Sequence, residues 1–216
     1  LYIKNVLSSI LTFVDANRDG TMSLRTGRYN SGLVHLMLEI ISNAVDNSLK
    51  NETMKELATQ LRNKNTNSTE TCLKSDALVV VEIGPVEMKV TNYGAPFDID
   101  YMSDTNGMFI PEACFLLSKL GSNFNDDDKP RLGIGRNGVG AKLTVVYSKY
   151  FEIITVDVKR KRYFRMELQN NGDPTTKIIQ MWPEPVNGII PLVSRNIPKE
   201  LMQLFKERSF TSVRWI

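Results

Sequence analysis

Residues 133 to 142 read Gly-Ile-Gly-Arg-Asn-Gly-Val-Gly-Ala-Lys and run straight into a helical pattern from Lys142 to Tyr147. Four glycines within eight residues remove Cβ atoms where the backbone must curl tightly and leave its N–H groups free to face an anion. A helix starting at that point adds the partial positive charge of its N-terminus. Arg136 and Lys142 add full charges, one a planar fork and the other a point charge. The chemistry is that of a polyphosphate cradle.

Three loop types compete for these letters. A P-loop requires Gly-Lys-Ser/Thr at its end, but Gly140 is followed by Ala141-Lys142-Leu143, so the register fails. The dinucleotide fingerprint is literally present at Gly133, Gly135 and Gly138, with Asp157 downstream. It needs a buried strand before its first glycine. The stretch there, Asn123 to Arg131, is polar and contains Asp126-Asp127-Asp128 and Pro130, which a central strand does not tolerate. A lid over nucleotide phosphates fits the polar approach and helical exit, provided that a second helix supplies groups for a metal and a water.

A matching helix begins after Gly32. Leu33, Leu36, Met37, Ile40, Ile41 and Ala44 fall on one apolar stripe at helical spacing. Glu39, Asn43, Asp46, Asn47 and Lys50 fall on the opposite stripe, within about 100° of one another. A carboxylate and an amide four residues apart point the same way, as required if one activates water and the other offers oxygen to a hard cation. A solvated face is the plainer alternative. Asn and Asp weaken helices, however, and are a poor choice for solubility alone.

Together, Glu39-x-x-x-Asn43-Ala44-x-Asp46-Asn47, Asn92-Tyr93-Gly94-Ala95 and Gly135-Arg136-Asn137-Gly138-Val139-Gly140-Ala141-Lys142 resemble the ATP-site motifs of the GHKL (Bergerat-fold) ATPases. Within that superfamily the chain is most similar to the ATPase domain of eukaryotic-type and viral type II DNA topoisomerases. The acidic run Asn125 to Asp128 and the helix opening Phe109-Ile110-Pro111-Glu112 point to the same branch. The likeness is good from Asn30 to Phe151 and weaker beyond.

The resemblance implies a set of roles. Glu39 would be the general base and Asn43 the Mg²⁺ ligand, with Asp46 and Asn47 completing the helix's part of the ATP site. Asn92 would read adenine, flanked by Thr211. Gly121, Ser122 and Asn123 would touch ribose and phosphates. The loop Gly135, Arg136, Asn137, Gly138, Val139, Gly140, Ala141 and Lys142 would close on the triphosphate. The implied cofactors are ATP and Mg²⁺. The implied partners are double-stranded DNA, met by the full-length enzyme, and a second copy of the chain on ATP binding. The implied location is inside the cell, in the nucleus or, for a viral enzyme, in the host cell. A GHKL clamp or scaffold that changes shape without DNA breakage is the alternative of a different class.

The pattern also departs from the family. Pro96 stands where a further glycine is usual, so the turn after Asn92 must differ in shape. Residues 187–208 form a longer connection with a helix expected at Lys199 to Lys206. The family's transducer domain, which brings a lysine to the γ-phosphate, is not recognisable within residues 1–216, so these are read as one GHKL ATPase domain, a fragment of a longer enzyme.

Composition is compatible and no more. The chain has 216 residues, 42% of them apolar, enough for one sizeable core. A net charge of +3 does not announce nucleic-acid binding. No apolar run approaches the roughly 18 residues of a membrane span, so no membrane partner is expected. Cys72 and Cys114 fit free intracellular thiols.

The expected fold is α+β, a two-layer sandwich with a mixed, mainly antiparallel sheet covered by helices, and ATP held between helices and lid. Helices are expected at Ile3–Val14, Leu33–Leu49 (with an extension toward Leu61), Pro111–Leu120 and from the lid to Ser148. Strands are expected at Ala77–Ile83, Glu87–Asn92, Phe151–Val158, Tyr163–Leu168 and Lys177–Trp182. A last strand, Thr211–Ile216, closes the sheet. Arg62–Glu70 has the composition of an exposed insertion. Asp15-x-Asn17-x-Asp19-Gly20 copies half an EF-hand loop, but Thr26 replaces the bidentate Glu, which favours a surface turn. Two Asn-x-Thr sequons carry little weight in such a chain. His35, the sole histidine, is expected to pack within its helix, and Lys159-Arg160-Lys161-Arg162 to cap a hairpin in solvent.

Overall fold

The computed structural model describes residues 9–16, 21–49, 78–99, 107–117, 139–187, 189–191, 196–206 and 208–216. The chain divides into two compact units, Leu1–Leu38 and Glu39–Ile216. The extension toward Leu61, the insertion Arg62–Glu70, Cys72, the acidic run and residues 118–138 lie outside the described residues.

In the first unit, β1 (Ser9–Ala16) pairs antiparallel with β2 (Met22–Tyr29), from Ser9 opposite Tyr29 to Ala16 opposite Met22. The helix expected over Ile3–Val14 is therefore a strand from Ser9 onward. Ile10, Thr12, Phe13 and Val14 are β-branched or aromatic and suit a pleated surface, and a partner strand was available to pair with them. Of the half EF-hand motif, Asp15 lies in β1, and Asn17 to Gly20 lie outside the described residues. The unit also holds the first turns of α1 (Ser31–Leu49), whose entry is capped by Asn30: its Oδ1 accepts the Gly32 N–H at 2.9 Å and the Leu33 N–H at 3.3 Å. His35 is exposed rather than packed, and so is Leu33.

The second unit is built on a sheet of six strands in the order β3-β4-β8-β5-β6-β7. These are β3 (Val79–Ile83), β4 (Met88–Tyr93), β5 (Tyr150–Asp157), β6 (Arg162–Gln169), β7 (Asp173–Trp182) and β8 (Phe210–Trp215). Every ladder between them is antiparallel. The last strand completes the sheet from its middle rather than from an edge: β8 slots between β4 and β5 and joins the two halves.

One face of this sheet is apolar. Phe151 and Ile153 on β5 and Phe164, Met166 and Leu168 on β6 are fully buried, in the alternation that a half-buried strand requires. Each contributes roughly 1.5–3 kcal/mol relative to exposure. Helix α2 (Ile110–Leu116) lies on this face, with Phe115 5.3 Å from the Phe151 ring and Phe109 5.7 Å from the Phe164 ring. Pro111 fits its first turn, and the Glu112 carboxylate reaches back to accept the Phe109 N–H at 3.3 Å, satisfying a donor at the helix start. Beside it lies α3 (Gly140–Val146), followed by α4 (Lys199–Met202) and a 3₁₀ turn at Leu204–Lys206.

The opposite face is charged. Arg165 pairs with Glu152 at 2.9 Å and with Glu167, while Arg214 pairs with Glu87 at 2.7 Å. Among the described residues, no helix is long and apolar enough to cross a membrane.

Candidate nucleotide site

Helix α1 carries Glu39, Asn43, Asp46 and Asn47 along one face, the first two exposed and the second two half-buried. Ile40 and Ala44 are buried on its other side. The polar stripe is therefore free at its N-terminal end and anchored toward its C-terminal end. Asn47 Nδ2 donates to the Ala95 carbonyl at 2.8 Å, fixing the loop that leaves β4. Gly94 in that loop has φ +151°, and a Cβ there would lie 3.1 Å from the Ser48 Cα, so only glycine lets the loop close on the helix. The turn that Pro96 was expected to reshape is held in this way.

On the sheet, Asn92, Thr211 and Thr155 stand directly opposite one another across β4, β8 and β5. Their exposures are 5%, 3% and 0%. The Thr155 and Thr211 hydroxyls share a hydrogen bond of 3.1 Å, and Thr155 Oγ1 also accepts the Phe97 N–H at 3.2 Å. Asn92 Nδ2, by contrast, is buried without a hydrogen-bond partner. An unsatisfied buried amide costs about 1–3 kcal/mol, a cost that a ligand's polar group can remove.

The glycine-rich segment enters at Val139, which provides no side-chain cap for α3. Gly140 packs directly on Glu39: a Cβ at position 140 would lie 2.5 Å from the Glu39 Cγ and 2.6 Å from its Cβ. The early helix and the glycine segment therefore meet. Ala141 and Lys142 follow in the first turn of the same helix. Lys142 is 9% exposed, and burial pulls its ammonium below the usual lysine range, with the nearby Cys114 acting weakly the other way.

Gly121, Ser122, Asn123, Gly135, Arg136, Asn137 and Gly138 lie outside the described residues. Of the basic run, Arg160 Nε pairs with Asp157 at 2.5 Å and Arg160 NH1 with Asp98 at 2.9 Å. Lys161 Nζ donates to the Phe205 carbonyl at 3.1 Å and lies over the Phe205 ring, and Arg162 is buried. The run caps the β5–β6 hairpin with Lys159, Arg160 and Lys161 exposed, as expected, although Arg160 and Lys161 also bind the protein; Arg162 departs from the expectation by being buried. Thr155 and Ala95 were missed by sequence reasoning. Ala95 ends the Asn92-Tyr93-Gly94-Ala95 string but the resemblance gives it no role of its own, and Thr155 belongs to no motif; strand register and loop closure bring them in.

No protein-family model matches the chain. Over 154 residues it is 32% identical to a mitochondrial DNA topoisomerase 2 of Dictyostelium discoideum, a match covering 70% of this chain and 10% of the relative. It is 31% identical over 146 residues to DNA topoisomerase 2 of Candida albicans, covering 68% and 8%. The ATPase region of Saccharomyces cerevisiae topoisomerase II bound to ICRF-187 superposes on 96% of this chain and 44% of its own, with a TM-score of 0.62 at 20% identity. The ATPase and transducer domains of topoisomerase II from Balamuthia mandrillaris cover 95% and 43%, with a TM-score of 0.62 at 24% identity. At these identities the structural likeness establishes the fold.

An antiparallel sheet with helices on one face, and an acidic-amide helix meeting a glycine segment, define a GHKL ATPase domain. Within that class, the chain belongs with the ATPase domains of eukaryotic-type type II DNA topoisomerases. It spans about a tenth of the length of the curated relatives and less than half of the solved chains.

Proposed function

We propose that the chain binds ATP with Mg²⁺ and hydrolyses it as the gate domain of a type II DNA topoisomerase. In that enzyme, ATP binding closes a homodimer around duplex DNA, so that one duplex passes through another. The observation that carries this reading is the contact of Gly140 with Glu39, which joins the two halves of the ATP-site pattern at one point.

Each residue acts through its own chemistry. Glu39, exposed beside the start of α3, takes the proton of the attacking water. Asn92 is the adenine reader: its unpartnered amide supports a ligand group on the Asn92–Thr211–Thr155 row. Asp46 and Asn47 hold the floor of the site, Asn47 through its bond to Ala95. Val139, Gly140, Ala141 and Lys142 form the described part of the phosphate cradle. Gly121, Ser122, Asn123, Gly135, Arg136, Asn137 and Gly138 join the proposal on family likeness alone.

Mg²⁺ fits the donors present. Among the described residues, no group of three or more His, Cys, Asp and Glu could hold a metal by itself. Mg²⁺ characteristically takes one or two protein oxygens and leaves the rest to phosphates and water. Asn43, exposed one turn from Glu39, is the protein ligand, and the ion when bound neutralises charge on the phosphate oxygens. The DNA substrate places the enzyme in a DNA-containing compartment, nuclear or mitochondrial.

Glu39→Ala tests the reading. It should retain binding of a non-hydrolysable ATP analogue while slowing hydrolysis by roughly 10²–10⁴. Turnover within a few-fold of the parent would remove Glu39 from the role of base.

A further inference from the structure

Helix α3 is short and touches the proposed site only with its first turn, so whatever fixes its far end fixes Gly140 and Lys142. Its far end is held by the β6–β7 turn, a segment outside every nucleotide motif. Asn170, Asn171 and Gly172 adopt consecutive left-handed conformations, with φ of 51°, 65° and 76°. Asn and Gly are the residues that accept such angles at least cost. The turn thereby points its donors at the end of α3. Asn171 Nδ2 donates to the Val146 carbonyl at 2.8 Å, and the Asn171 and Asn170 N–H groups donate to the Ser148 and Lys149 carbonyls, each at 2.9 Å. The last carbonyls of a helix have no partner within it, and here the turn acts as an external cap.

Gly172 completes the seat. A Cβ at this position would lie 2.7 Å from Val145 Cγ1, and Val145 is itself 2% exposed in the core. The turn therefore presses on the last turn of α3 with no spare room. A seven-residue helix held at one end by hydrogen bonds and close packing moves as a rigid piece. A shift at Val145 and Val146 is delivered to Lys142 and to the Gly140–Glu39 contact.

We propose that Asn171 and Gly172 are positioning residues for nucleotide binding, acting through α3 to hold Gly140 against Glu39 and to fix the place of Lys142 in the same helix. Neither needs to touch the nucleotide. This inference rests on the ATP-binding reading above, so its test has one arm that needs nucleotide and one that does not.

The informative variant in the full-length protein is Asn171→Gly, which keeps the left-handed backbone and deletes only the side-chain donor. Hydrogen exchange should show the α3 amides opening about 3- to 10-fold more readily than in the parent, the reach of one hydrogen bond. The sheet amides should be unaffected. Affinity for a non-hydrolysable ATP analogue should fall by a similar factor, while ADP affinity changes less than about twofold, because Lys142 lies on the triphosphate side. Gly172→Ala should produce the same pattern more strongly, and Val145→Ala in that background should restore part of the affinity by removing the methyl it strikes. Equal α3 protection in parent and Asn171→Gly overturns the anchoring. Equal losses for both nucleotides, or no loss in a parent that binds ATP normally, overturn the positioning role. A parent that binds no ATP analogue overturns the functional reading instead, and the exchange arm still decides whether the turn anchors α3.

Discussion

Asn92 stands directly opposite Thr211 across the β4–β8 ladder, and the Asn92 amide nitrogen is buried without a partner while the Thr211 hydroxyl shares a hydrogen bond with Thr155. The pair is polar, buried and half-satisfied, which a site built only for stability would avoid. Asn92→Val should therefore stabilise the ligand-free protein by about 1 kcal/mol, since it removes an unsatisfied amide and suits a strand. It should also weaken adenine-nucleotide binding at least tenfold. Thermal unfolding and nucleotide titration read the two effects separately. A variant that loses stability and keeps its affinity would contradict both.

Gly140 tolerates no side chain. The colliding atoms are the Glu39 carboxylate oxygen Oε2 and the first two carbons of its side chain, so relieving the clash moves the carboxylate. Gly140→Ala should lower the hydrolysis rate by about 10²-fold, the scale on which a misplacement of one ångström acts on catalysis. Steady-state turnover at saturating ATP is the measurement, with circular dichroism to verify the fold. Parental turnover would show that Glu39 does not need its present position.

Lys142 links stability to pH. Its ammonium is held below the usual 10.5 by burial, so the unfolded chain binds more protons than the folded one in the window below that value. The charged lysine thus burdens the folded state at neutral pH, and the burden lifts as pH rises toward 10.5. The difference in Tm between Lys142→Met and the parent should shift steadily in the parent's favour across that window. A difference independent of pH would mean that the ammonium is not desolvated. The same variant should bind ATP analogue more weakly than ADP, relative to the parent.

Arg162 is 5% exposed, and its Nε and NH1 atoms have no hydrogen-bond partner. Asp157, opposite it in the β5–β6 ladder, already accepts the Arg160 N–H and Arg160 Nε. Replacing a buried, under-satisfied cation by a chain of similar volume is often neutral or stabilising. Arg162→Met should raise the urea midpoint, by roughly 1–3 kcal/mol of stability. A lower midpoint would show that the guanidinium has a partner in solution.

Much of the site was legible because its two halves are written in local sequence. The apolar spacing of Leu36, Ile40 and Ala44 gave α1, and that helix necessarily put Glu39 and Asn43 on the opposite side. The glycine string marked the entry to α3 because no other residue type curls a backbone so tightly before a helix. The β1–β2 hairpin was not legible in the same way: Ile3, Val6, Leu7, Ile10 and Val14 also satisfy helical spacing, and the choice was made by a partner strand that the local window does not contain. The same limit hid the fate of Arg160 and Lys161, whose partners Asp98 and Phe205 are distant in the chain.

Sequence alone determined α1 and the start of α3 and the chemistry they display, since a helix closes its hydrogen bonds within a few residues and its faces follow from periodicity. Tertiary structure decided where those faces meet. The insertion of β8 between β4 and β5 lines up Asn92, Thr211 and Thr155, and the β6–β7 turn seats α3 so that Gly140 reaches Glu39. Strand pairing and loop docking satisfy their backbone groups with residues far away in the chain, and so depend on the whole fold rather than on any stretch of letters.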